Sequence, residues 1–137
     1  MKRLILAVGF FAATLTASLH AQTINLQANI PFDFRIGNSV FPSGEYSIRH
    51  SAGVLFVQQT AGSHKAGAFL TVGEDRPAGS SASGTLQFNR YGSTYYLSKV
   101  WPAGSKEAQA TPKTAREKEL ASHIGQPGTT TVALQTK

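Results

Sequence analysis

A β-hairpin is spelled out between Thr85 and Trp101, TLQFNRYGSTYYLSKVW, and no other stretch constrains the fold as tightly. Gly92-Ser93 separates two runs rich in aromatic and β-forming residues, and glycine at the first of two central positions signals a type II′ turn. Positions equidistant from such a turn face each other, which sets Phe88 opposite Leu97, Asn89 opposite Tyr96 and Arg90 opposite Tyr95. Leu86, Phe88, Leu97 and Trp101 then share one face with Arg90, Tyr95 and Lys99, and this is the expected core face. Gln87, Asn89, Tyr91, Tyr96 and Ser98 share the other.

Upstream, Ile30, Phe32, Phe34 and Ile36 alternate with Pro31, Asp33 and Arg35, the pattern of a half-buried strand. Pro31 cannot donate to a ladder, so it marks an edge, a bulge or a strand start. Gly37-Asn38 is a two-residue turn that brings Phe34 opposite Phe41. Tyr46 and Ile48 lie on one face of the next strand. A three-residue connection, Ser51-Ala52-Gly53, pairs Ile48 with Phe56, leaving Leu55 and Val57 on the opposite face of a strand buried on both sides. Residues 65 to 72 form another strand, and Gly73 to Gly84, GEDRPAGSSASG, is a mobile loop. Ser105 to Thr111 is a polar connector. Thr114-Ala115-Arg116-Glu117 matches a capping box, and Gly125 is placed to stop a helix after Ile124. Leu120, Ala121 and Ile124 form its apolar stripe, with Arg116, Glu117, Lys118 and Glu119 toward solvent. Thr129 to Gln135 is the last strand. The sum is a mainly β chain: a single antiparallel β-sandwich or small barrel of seven to eight short strands with one short C-terminal helix.

The first 21 residues, MKRLILAVGFFAATLTASLHA, have a basic start, a short apolar run and small residues ending at Ala21, the organisation of a secretory signal peptide. Residues 22–137 are then one β-rich domain beginning at Gln22, exported to the periplasm, the cell surface or the medium. After signal removal no stretch reaches the about 20 apolar residues of a membrane span. An eight-stranded outer-membrane barrel calls for strands of about 9 to 11 residues, longer than most of these. The chain carries 13 Lys and Arg against 7 Asp and Glu, but the cations are scattered singly, and export adds to the case against nucleic acid as a partner. There is no cysteine, so the fold rests on packing and strand pairing without disulfides.

PFDFRIG followed by FPSGEYSI (31–48), FNRYGSTYYLSKVW (88–101) and KTAREKELA (113–121) resemble, in this order, a family of small, uncharacterised secreted proteins from environmental bacteria. The resemblance spans nearly all of the chain after the signal. It implies no activity, cofactor or catalytic residue.

Chemistry-bearing patterns are sparse. A strand separates His50 from His64 by roughly 20 Å at about 3.3 Å per residue, so they do not share a metal site. His123 sits late on the helix, where a cation is favourable without any ligand role. GSSAS (79–83) lacks the second glycine of a nucleophile elbow. Asp33 and Glu45 lie on separate hairpins, and adjacent Glu74 and Asp75 point to opposite sides, so no acid–base pair forms. No catalytic residue, metal site or cofactor is assigned. The aromatic residues carry the remaining signal. Tyr91 and Tyr96, beside Asn89, combine stacking with hydrogen bonding and would suit a glycan, a peptide or a protein partner. The commoner fate of such tyrosines is burial under a helix or second sheet. Two functions follow: a non-enzymatic, exported β-domain of the cell envelope that binds such a partner, with Asn89, Tyr91 and Tyr96 as candidate contacts, or an envelope enzyme whose site is assembled from loops.

Overall fold

The computed structural model describes residues 25–75 and 83–136. The signal peptide and its cut before Gln22, together with residues 76–82 of the expected loop, lie outside the described residues. The strands are β1 (Asn25–Ile30), β2 (Phe34–Ile36), β3 (Ser39–Phe41), β4 (Gly44–Ser51), β5 (Val54–Gln59), β6 (Ala66–Leu70), β7 (Val72–Asp75), β8 (Thr85–Tyr91), β9 (Thr94–Trp101) and β10 (Glu107–Ala110). Helix α1 (Ala115–Ile124) follows, and then β11 (Gly128–Ala133) and β12 (Gln135–Thr136). A five-stranded sheet has the order β12-β1-β4-β5-β6. A seven-stranded sheet has the order β11-β8-β9-β10-β7, with β2 pairing in parallel with β9 and β3 pairing with β2. The two open sheets face each other across one core, so the fold is the β-sandwich and not the barrel.

There are more strands than the sequence pattern suggests because the chain changes sheet in the middle of apolar runs. The Ile30–Ile36 alternation is one example. Ile30 ends β1 in one sheet, Pro31 to Asp33 bridge the gap, and Phe34 begins β2 in the other. Ile30, Phe34 and Ile36 are all buried, so the period survives while the hydrogen bonding is split. At one edge of the sandwich the chain passes from β6 to β7 through Thr71, whose N–H donates to the Gly53 carbonyl at 2.9 Å. At the other it passes from β11 to β12 through Leu134, whose N–H donates to the Gly84 carbonyl at 3.0 Å. Bends of this kind make the corners of packed sheets. Two expected irregular stretches are also strands: Gly73–Asp75 belong to β7, and Glu107–Ala110 form β10, with Ala108 fully buried.

Turn chemistry sets the registers. Gly92 has φ +62° and Tyr91 faces Thr94, as the type II′ reading requires, and Gly37 (φ +59°) similarly sets Phe34 against Phe41. The β4–β5 connection differs from expectation. It has two residues, Ala52 (φ +50°) and Gly53 (φ +76°), so Ser51 faces Val54 and Ile48 faces Val57. A one-residue slip reverses every side chain of a strand. Leu55 and Val57 therefore enter the core, while Val54, Phe56 and Gln58 turn outward. A second difference is a bulge in β9. Gln87 faces Lys99 but Phe88 faces Leu97, which leaves Ser98 as the extra residue. Beyond it the faces exchange: Val100 joins the core, and Trp101 leaves the expected core face to donate from Nε1 to Gln87 Oε1 at 3.3 Å.

Phe34 is at the centre of the core. Its ring centroid is 5.4 Å from Phe41, 5.1 Å from Tyr46 and 5.5 Å from Phe88, the last two edge-to-face. The Tyr46 hydroxyl donates to the Pro42 carbonyl, which satisfies its polar end. Burial, followed by the charge of Asp33, pushes that phenol up to about 12. Opposite this cluster β6 carries Gly67, where an added Cβ would come within 2.7 Å of Phe69 and 3.2 Å of Phe41.

Candidate functional site

Asn89, Tyr91 and Tyr96 share the outer face of β8 and β9, as the hairpin register demands, but that face is roofed by α1. Tyr91 and Tyr96 are each 2% exposed and Asn89 is 9% exposed. The helix begins with one half of its capping box, Thr114 Oγ1 accepting from the Glu117 N–H at 3.2 Å, and it ends at Gly125. The expected apolar stripe docks only in part, with Leu120 and Ala121 half-buried and Ile124 exposed, and Glu117, expected in solvent, is 4% exposed. Glu117 Oε1 accepts from Asn89 Nδ2 and from the Tyr91 hydroxyl, both at 3.2 Å. Burial, followed by the charge and hydrogen bond of Glu117, pushes the Tyr91 phenol up to about 12. Tyr96 packs edge-on to Tyr91 at 5.9 Å, and its buried hydroxyl has no hydrogen-bond partner among the described residues. The three residues are thus brought together as predicted, but in a covered cluster and not on an open platform.

A second place lies between the sheets at one end of the sandwich. A cavity of about 220 Å³ has Leu26, Ile48 and Val100 of the core on its wall, with Pro102, His50, Ser105, Glu107 and Gln109 completing it. His50 Nε2 is 3.1 Å from Thr71 Oγ1. The Thr71 hydroxyl has two acceptors in reach, Gln109 Oε1 at 3.0 Å and the Gly53 carbonyl at 3.2 Å. His50, a candidate that the sequence alone gave no partner, acquires one only through the β6–β7 corner. Among the described residues no three His, Asp or Glu side chains converge to hold a metal ion.

The third place is the outer face of the five-stranded sheet, and the sequence pattern missed it because of the β4–β5 register. Arg49, Phe56 and Ala68 stand in one row across β4, β5 and β6; Val54 and Leu70 stand in the next. Leu70 is 75% and Phe56 37% exposed. The Arg49 guanidinium lies 5.4 Å from the Phe56 ring centroid, and a shallow hollow of about 130 Å³ runs beside it past Ser47, Gln58, Ala66 and Gly67. β6 is the end strand of its sheet, and its residues, AGAFL, include neither proline nor lysine. Exposed Val72 continues the apolar surface around the corner.

No protein-family model, curated protein or solved structure matches this chain.

Proposed function

We propose that this chain is an exported, non-enzymatic β-domain of the cell envelope that binds a peptide or protein partner on the outer face and edge of its five-stranded sheet. Export rests on the amino-terminal signal pattern and on the likeness to small secreted bacterial proteins. Among the described residues no helix is long and apolar enough to cross a membrane. Binding rests on one observation above all: Phe56, Val54 and Leu70 make a contiguous apolar strip that ends on an edge strand without the prolines or lysines that usually blunt such edges. A partner strand adding to β6 would satisfy its outward backbone groups while covering the strip. A glycan, with its many hydroxyls, fits an aliphatic strip less well than it would the polar tyrosine cluster, which α1 occupies.

The test is cross-linked capture from envelope fractions with the mature domain, comparing wild type with Phe56→Ser and Leu70→Asp. Both variants should lose the captured species while melting within a few degrees of wild type, since exposed substitutions shift stability by about 0.5 kcal/mol or less. Equal capture by all three would remove the strip from the binding surface. The second reading, an envelope enzyme with a loop-built site, draws on His50 and Glu107 at the cavity between the sheets. It predicts capture that is insensitive to Phe56 and Leu70 but sensitive to His50→Ala.

A further inference from the structure

The cavity between the sheets is separate from the open face, because its wall is made by inward-facing residues of β1, β4 and β9. We propose that it is a binding site for a small organic amine with a compact apolar body. Its volume of about 220 Å³ exceeds the roughly 150 Å³ of an apolar cavity that holds benzene, so a ring with a short polar arm has room. The apolar part would lie on Leu26, Ile48 and Val100, each 5% exposed or less.

The polar groups select the arm. The Glu107 carboxylate forms no ion pair or hydrogen bond with any described residue; the ion pair recorded among them joins Lys99 and Glu74. The Glu107 side chain is held across Gly73, where an added Cβ would fall 1.7 Å from Oε1. His50 is anchored by the 3.1 Å contact of its Nε2 with Thr71 Oγ1. Gln109 has its oxygen within reach of the Thr71 hydroxyl. A carboxylate without a partner among the described residues calls for a donor, and an ammonium group supplies one while matching the charge of Glu107.

Benzylamine, benzyl alcohol and benzoate share one apolar body and differ in the charge of the arm, so they separate the terms. In methyl and imidazole NMR titrations of the protein, benzylamine should move the signals of Leu26, Ile48, Val100 and His50 saturably. Benzyl alcohol should bind about fivefold more weakly, the value of one partly exposed charge pair, and benzoate should not bind. Glu107→Gln keeps the contact with Gly73 and should lower benzylamine to the level of benzyl alcohol, with the melting temperature as a check on folding. Ser105→Trp, at the rim, should block benzylamine and benzyl alcohol alike. No saturable shift with benzylamine, equal binding of benzoate, or an affinity unchanged by Glu107→Gln would each overturn the proposal.

Discussion

The two outer faces of the sandwich are opposites, and the more polar one is the one that is buried. On the seven-stranded sheet Asn89, Tyr91 and Tyr96 lie beneath α1, which docks through the Glu117 carboxylate. On the five-stranded sheet Phe56, Ala68 and Leu70 are exposed, with the Arg49 guanidinium 5.4 Å from the Phe56 ring centroid. A ten-residue helix with few apolar positions cannot be stable alone and gains little from an aliphatic surface. It is held where a carboxylate finds two donors out of water. The aliphatic face left open is the ground on which we propose the five-stranded sheet as the binding surface.

Truncation gives the largest expected contrast. Tyr96→Ala should destabilise the domain by about 3 kcal/mol, in the range for deleting a buried aromatic ring, while Phe56→Ala should cost about 1 kcal/mol or less. Equal losses in urea melts would erase the distinction between the faces. Next comes the roof itself. Glu117→Ala leaves the Tyr91 hydroxyl and the Asn89 amide buried without their acceptor and should cost about 2 kcal/mol, whereas its neighbour Lys118, exposed on the same helix, should tolerate alanine within about 0.5 kcal/mol.

Removing single hydroxyls sharpens the picture. Tyr91→Phe deletes a satisfied hydrogen bond to a charged acceptor and should cost about 1 to 2 kcal/mol. Tyr96→Phe deletes an orphaned hydroxyl and should be neutral or stabilising by up to about 1 kcal/mol. Two changes of the same chemistry, on rings in contact, should therefore move the melting temperature in opposite directions.

The smallest effect is alkaline. Tyr46 and Tyr91 ionise at about 12 in the folded state against 10.0 for a free phenol. The proton is thus held more tightly by the fold than by the open chain, a contribution fully present below pH 10 and lost as the pH rises through about 12. Stability should fall across that window, and Tyr91→Phe should flatten the fall relative to wild type in chemical denaturation at pH 9, 10.5 and 11.5.

Features set by neighbours in sequence were legible; those set by distant pairings were not. The Gly92-Ser93 turn, the Phe34–Phe41 pair and the Thr114 cap each depend on a few adjacent residues, and all three are present in the structure. The β4–β5 register was not legible because Ala52 adopts φ +50°, a conformation that a non-glycine residue rarely takes and does not advertise. The bulge at Ser98 has no local signature, so Trp101, expected on the core face, leaves it and Val100 enters the core instead. Glu117 looked solvent-exposed because its partners, Asn89 and Tyr91, lie 28 and 26 residues away. The open strip of Phe56 and Leu70 followed from the missed register, and the His50 cavity followed from a sheet change at Thr71 that no hydropathy pattern marks.

Hydroxyl-radical footprinting of the native wild-type protein tests the contrast between the faces most directly, because it reads side-chain exposure without mutation. Phe56 and Leu70 should be modified rapidly, while Tyr91 and Tyr96 should stay protected until the domain unfolds, despite the high intrinsic reactivity of tyrosine. Oxidation of Tyr91 and Tyr96 as fast as that of Phe56 under native conditions would mean that α1 does not cover them, and would return the tyrosine face as the open binding surface.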